Sequence, residues 1–292
     1  MKWQIPAKTF LLGEYAAIAG ESAILLTTSP CFELILKQDP YPSDNIHPQS
    51  PAGLWLQKTL SDKKNHLHWN DPYSLKGGLG ASSAQFVAGY LATCFLQQYK
   101  PHIDNLLKSY HQMAWNGQGL RPSGYDVIAQ SQQKCVYIHQ NKKHMEIMPW
   151  PFRDIGFLLV HTGYKLATHH HLQKKNTLPE NLSILSEIVE EGKTAFDHED
   201  SQLLIHAVNS YHQQLSVFDF ITPHSLTLIN TIKQKKRVLA VKGCGAMGAD
   251  VLLIISHIFD LQSISEYITT LGLTPFACHL DLYQQSGIFE TL

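Results

Sequence analysis

The sequence predicts an α+β protein of two lobes, on three observations. Apolar, β-capable runs open the chain, helical stretches with apolar spacing of three to four residues occupy much of the rest, and strands and helices alternate without the regular cadence of βαβ units. With 292 residues, 44% of them hydrophobic, the chain is long enough for one large or two medium domains burying roughly 75% of the extended-chain surface. The lobes are expected over residues 1–150 and 151–292, with a boundary near 148–154 and no internal repeat.

The elements follow in order. "TFLLGEY", "SAILLTT" and "CFELILK" read as short strands separated at Gly20-Glu21 and Ser29-Pro30. The stretch from Gln38 to Gly53 is rich in Pro, Ser, Asp and Asn and predicts an exposed connection. After a glycine-rich loop, Ala84, Val87, Leu91 and Cys94 recur at helical spacing with Phe95 alongside, so a helix with one buried face is expected from Ser82 or Ser83. "HIDNLLKSYHQMAWNGQG" reads as a second helix ending at its glycines. "DIGFLLVHTG" opens the second half, followed by helices over "LPENLSILSEIVEEGKTAF" and "DSQLLIHAVNSYHQQL". Strands "RVLAVKG" and "DVLLIIS" come next, and a final helix "DLQSISEYITTLGL" leads to the end.

Bulk properties exclude several classes. A net charge of −1 with histidines neutral supplies no general field for nucleic acid or an anionic membrane, so an anionic ligand has to be held locally. Seventeen histidines make the charge climb below about pH 6.5. The five cysteines, Cys31, Cys94, Cys135, Cys244 and Cys278, are odd in number and contain no C-x-x-C pair, which argues for reduced thiols rather than disulfides or a zinc cluster. A proline and a Gly-Glu interrupt the first fifteen residues where a signal peptide needs an apolar core, and no apolar run reaches the ~18 residues of a membrane span. A cytoplasmic location, with neither nucleic acid nor membrane as partner, is expected.

Four short stretches carry possible chemistry. The first is "PAKTFLLGEY", where Lys8 opens a strand and Glu14-Tyr15 close it; a strand-edge lysine is usually a solvated charge. The second is "LKGGLGASSA". Glycines before a helix let backbone N–H groups approach an anion at the positive end of the helix dipole, and Ser82 and Ser83 can donate hydroxyls or help hold Mg²⁺; equally, the serines can satisfy only the helix's own amides. It is no Walker A motif, because Lys76 precedes the glycines. The third, "RPSGYDVIAQ", is a tight turn holding Asp126 at its exit, either as a turn or cap residue or as a base. The fourth, "VKGCGAMGAD", is formally G-x-G-x-x-G. The apolar "DVLLIIS" follows it instead of a helix, so it is a glycine loop between strands and not a dinucleotide fingerprint; an ordinary bulged hairpin turn is its plainest reading.

Taken in order, strand-Lys with GEY, GLG-x-SSA, PSG-x-D and a late glycine loop between strands resemble the GHMP small-molecule kinases. That superfamily includes galactokinase, homoserine kinase, mevalonate kinase and phosphomevalonate kinase. The resemblance runs from Pro6 to about Ser256. It implies a two-lobed fold with the active site in the inter-lobe cleft, ATP and Mg²⁺ as cofactors, and a small-molecule acceptor; a homodimer is a further expectation. It implies that Gly78, Leu79, Gly80, Ala81, Ser82, Ser83 and Ala84, with Lys76, bind nucleotide, and that Asp126 and Lys8 flank the acceptor oxygen. Glu14, Tyr15, Ser123, Gly124, Thr168, Gly245, Ala246, Met247 and Gly248 are the implied substrate-side residues, and Ser82 and Ser83 the implied metal ligands.

GEY in the first motif, SGYDV in the third and Asp250 closing the fourth look more like phosphomevalonate kinases than mevalonate kinases. Mevalonate kinase and homoserine kinase are the alternatives, and a non-catalytic metabolite-binding protein of the same fold is the alternative of another class. The chain departs from the family in three places. Mevalonate kinases carry a Mg²⁺-binding Glu about where "MAWNGQGL" stands here without an acid; GLGASSA replaces the usual GLGSSAA; and Met247 and Ala249 replace glycines. For a phosphorylated acceptor the candidate cations are Lys76, Arg121, Lys165 and His169. The run "THHHL" (Thr168–Leu172) cannot aim three adjacent imidazoles at one ion, so zinc is not expected there.

Overall fold

The computed structural model describes residues 1–37, 46–60, 66–74, 76–163, 181–245 and 250–285. Among these residues two antiparallel sheets and eight α-helices form. The first sheet contains β1 (Lys2–Leu12), β2 (Ala23–Lys37), β3 (His66–Asn70), β4 (Cys135–His139) and β5 (His144–Met148). Its order is β1-β2-β4-β5, with β3 pairing the outer half of β2. The second sheet, β7-β8-β6-β9, is built from β6 (Ile155–His161), β7 (Val238–Cys244), β8 (Val251–His257) and β9 (Thr274–Cys278). The chain passes from one sheet to the other between Met148 and Ile155.

The helices are α1 (Pro51–Thr59), α2 (Ala81–Leu96), α3 (Ile103–Ala114), α4 (Tyr125–Gln130), α5 (Ser183–His198), α6 (Ser201–Val217), α7 (Pro223–Lys233) and α8 (Leu261–Thr270). Strand alternation puts different residues on the two faces of the first sheet. Ala23, Leu25, Val136 and Ile138 join Tyr125 and Ile128 of α4 in a small apolar cluster. Ile24, Leu26 and Tyr137 face a much larger core that continues through the second sheet and α5 to α8. β8 is buried along almost its entire length, as expected for a strand covered on both faces.

Several sequence expectations change. Ser29-Pro30 does not separate two strands: β2 runs continuously through it as a fifteen-residue strand. The connection predicted to extend to Gly53 ends earlier, because Ser50 accepts from the Gly53 N–H at 3.1 Å and Pro51 occupies the first turn of α1. Helix α2 begins at Ala81, with Gly80 as its cap, not at Ser82 or Ser83. It is also not one-faced: Phe86, Ala88, Tyr90 and Ala92 are buried along with the predicted Ala84, Val87, Leu91 and Cys94, while Phe95 remains 50% exposed. Helix α2 packs against β1, β2, α1, α3 and α4, which makes it the central helix of the first half. Asp126 sits in the first turn of α4 rather than at the exit of a turn. The last predicted helix is followed by β9, and the chain then returns to the first sheet. There the Tyr283 N–H donates to the Thr27 carbonyl at 2.9 Å and the Lys134 N–H to the Tyr283 carbonyl at 2.8 Å.

Two buried histidines are kept neutral. Burial, reinforced by Lys76, lowers His161 to about 4; burial, reinforced by Lys233 and Lys242, lowers His212 to about 4. The unfolded chain, with ordinary values near ~6.5, binds more protons than the folded one between those limits, so stability falls as pH drops through that window. The unfolding midpoint measured from pH 7.5 to 4.5 should therefore decline below about pH 6.5, and His212→Phe should flatten the decline.

Candidate active site

A cavity of about 520 Å³ opens between the two halves. Its lining includes residues from all four sequence motifs: Lys8, Glu14 and Tyr15; Lys76, Gly78, Gly80, Ala81 and Ser82; Ser123, Gly124 and Asp126; and Gly245. Segments separated by more than two hundred residues thus converge on one small space.

The central contact is an ion pair, Lys8 Nζ to Asp126 Oδ1, at 3.0 Å. The Lys8 side chain is only 8% exposed, and an ammonium in that position needs a counter-ion. Asp126 supplies it, and the Phe10 ring, 4.9 Å from Nζ, adds its π face. The start of α4 carries Asp126: Gly124 takes φ +75 at the cap of that helix, and the Pro122 carbonyl lies 3.0 Å from His111 Nε2. Tyr110, from α3, also lines the cavity; burial first, then the Asp126 charge, raises its phenol pKa, so it stays a neutral hydroxyl at any physiological pH.

The glycine loop meets the expectation of a bare helix start. Gly80 caps α2 with φ +78 and provides no side-chain cap, so the first-turn N–H groups are left to a ligand or solvent. A Cβ at Gly80 would stand 2.8 Å from Lys8 Cγ, and one at Gly78 would stand 2.8 Å from Asp250 Cβ; both positions require glycine for space as well as for backbone sign. Asp250 itself lines the cavity from the far side, its carbonyl accepting from Thr162 N at 3.1 Å.

Not every nominated residue faces the cavity. Leu79 is buried in the core, as is Ala84. Ser83 is corrected as a metal ligand: its hydroxyl is buried and lies 2.6 Å from Gln130 Oε1 and 2.9 Å from the Gly80 carbonyl, so only Ser82 presents a loop hydroxyl to the cavity. Arg121 is exposed and is not among the lining residues. Thr168, Lys165, His169 and the histidine run fall within residues 164–180, and Ala246, Met247 and Gly248 within 246–249, all outside the described residues.

Glu14 has a partner that sequence reading misses. Lys242, wholly buried on β7, forms an ion pair with Glu14 Oε1, and its Nζ lies 3.4 Å from the Phe10 carbonyl and 3.5 Å from Cys244 Sγ. Burial by itself drives an ammonium toward neutrality; the Glu14 carboxylate outweighs it, and the Lys242 pKa lies above its ordinary value. Burial pushes the Cys244 thiol up to about 11, so it is a protonated donor, 3.3 Å from the Phe10 carbonyl. Tyr211 donates to the Glu14 carbonyl at 2.6 Å. Glu14 Oε2, also buried, accepts no hydrogen bond from a described residue. The pair spans 228 positions, and no local pattern announces it.

Solved structures share the fold. The chain superposes on the Methanococcus jannaschii mevalonate kinase with a TM-score of 0.75 at 13% identity, covering 98% of each chain. The Streptococcus pneumoniae phosphomevalonate kinase gives 0.78 at 16% identity over 95% of this chain and 98% of that one. The Lactococcus lactis galactokinase complexed with galactose gives 0.73 at 12% identity over 98% and 93%. No protein-family model and no curated protein sequence matches the chain. The chain therefore has the GHMP-kinase fold over nearly its whole length, although its sequence lies far from these structures.

Removing one partner of a buried ion pair leaves a lone charge, typically costing about 3–5 kcal/mol, whereas replacing both partners with apolar groups is often close to neutral. Urea unfolding should show Lys242→Met destabilised on that scale, and the double variant Glu14→Leu/Lys242→Met recovering most of the loss.

Proposed function

We propose that the chain is an ATP-dependent small-molecule kinase whose acceptor is phosphomevalonate. The observation that carries the kinase reading is the Lys8–Asp126 pair, at 3.0 Å, opening onto the same cavity as the uncapped start of α2. Phosphoryl transfer needs positioning and charge compensation more than covalent chemistry from the protein. The α2 amides and the glycine loop suit the polyphosphate, while the acceptor hydroxyl belongs beside Asp126. The Asp126 carboxylate accepts the hydroxyl proton or orients the hydroxyl; Lys8, 3.0 Å from it, holds it in place and offsets negative charge on the acceptor oxygen.

Among the described residues no three His, Cys, Asp or Glu side chains form a metal cluster; Ser82, Asp71 and Asp250 line the cavity singly. That donor set suits Mg²⁺, which keeps most of its ligands from phosphate and water. Ser82 and one of these carboxylates would hold the ion, which when bound neutralises charge on the phosphates.

GEY, SGYDV and Asp250 support phosphomevalonate as acceptor. So does the likeness to the S. pneumoniae phosphomevalonate kinase, one of whose structures contains phosphomevalonate and AMPPNP. A second reading, an unphosphorylated acceptor such as mevalonate, is favoured by one feature: beyond Lys8, Lys76 is the only cation lining the cavity among the described residues.

Incubation with ATP, Mg²⁺ and each of phosphomevalonate, mevalonate and homoserine, followed by ADP release, should give the highest kcat/KM with phosphomevalonate. A higher value with mevalonate supports the second reading, and no ADP with any acceptor despite an ATP-induced thermal shift makes the protein a non-catalytic binder. Asp126→Asn should lower kcat by about 10²–10⁴-fold, with ATP affinity changed less than about threefold, because the substitution touches the acceptor side and leaves the phosphate cradle intact.

A further inference from the structure

Gln130 ends the third stretch, does not line the cavity, and is completely buried. Its amide nevertheless joins three of the four segments that build the site. Nε2 donates to the Pro6 carbonyl at 2.9 Å and to the Gly80 carbonyl at 3.1 Å. Oε1 accepts from the Ser83 hydroxyl at 2.6 Å. Pro6 falls in the register irregularity of β1 between Ile5 and Ala7, two residues before Lys8. Gly80 is the cap of α2 and its carbonyl already accepts from Ala84 N at 2.8 Å, so the Gln130 bond fills the remaining lone pair. The single Ser83 proton is then left for Oε1, which matches the short distance. Gln130 is also four residues after Asp126 on α4, hence on the same helix face.

We infer that Gln130 is a positioning residue that fixes the phosphate cradle relative to the Lys8–Asp126 pair. One planar amide, with both its donors and an acceptor lone pair used, sets the spacing between β1, the start of α2 and α4. A carboxamide of this length fits because it donates to two carbonyls and accepts from one hydroxyl at once, which no other uncharged side chain of that reach does. Loss of these bonds lets the α2 start move relative to Asp126, and displacement on the scale of an ångström costs about 10²-fold in rate. The inference rests on the kinase reading for its effect on turnover, but the clamp itself does not.

The test uses the full chain with two substitutions. Gln130→Leu removes every polar contact; Gln130→Glu keeps the size, accepts from Ser83, and when ionised donates nothing to Pro6 or Gly80. Hydrogen exchange at the Gly77–Ser83 amides should speed up in both variants relative to distant helices. With the best acceptor, kcat should fall about 10–100-fold while the acceptor KM changes less than about threefold. The kcat of Gln130→Glu relative to wild type should rise as pH is lowered from 8 to 6, because protonation restores one donor. A merely structural role predicts a lower melting temperature with kcat per folded molecule within twofold of wild type and no pH-dependent recovery, and that result overturns the inference. If Gln130→Leu does not fold, Gln130→Glu decides by its pH profile. If the wild type turns over no acceptor, the kinase reading fails while the clamp is judged by exchange alone, where unchanged rates overturn it.

Discussion

An ammonium group with no exposed surface, Lys242, can exist only where a carboxylate meets it, and that requirement ties the second sheet to the first. Glu14 is the partner, at the end of the strand that also carries Lys8 and Phe10. The free-energy cost of burying an unpaired charge makes any other approach of β7 to β1 unfavourable, so the walls of the cavity are set by electrostatics as much as by apolar packing. The extended core across both sheets holds the halves together without fixing their register as strictly, since apolar contact is non-directional.

Within that frame the site is assembled from helix starts. Helices α2 and α4 both begin at a glycine with positive φ, Gly80 and Gly124. One presents backbone amides to the cavity, the other presents Asp126. The local chemistry differs, but the design is the same: a cap without a side chain, a first turn that lines the cavity, and most of the remaining helix buried. The burial of most of α2 gives that arrangement a firm base, and position and charge are what the proposed phosphoryl transfer would ask of the protein.

Much of this was legible in the sequence, because the glycines, Lys8, Asp126 and the strand preceding the late loop are local signals with fixed physical meaning. Three kinds of information were not. Pairings across long separations, such as Glu14 with Lys242, depend on the fold. Side-chain direction at the start of α2 separates Ser82 from Ser83, and adjacent identical residues cannot be told apart until the helix phase is known. Gln130 looked like one of several glutamines in "AQSQQ", with only its four-residue offset from Asp126 to distinguish it. Ser29-Pro30 misled in the other direction, since proline usually marks a strand boundary whereas β2 carries it within its length.

The return of residues 282–283 to the first sheet has a consequence for biosynthesis. The Tyr283 backbone bonds to both Thr27 and Lys134, which also bond to each other, and so extends a junction between segments made some 150 to 250 positions earlier. The amino-terminal half emerging from the ribosome therefore carries an unfinished seam along β2, which closes only once residues 282–283 have been translated. Contacts so distant in sequence form late and slowly, leaving a prolonged interval in which the nascent chain exposes a sticky edge to its neighbours.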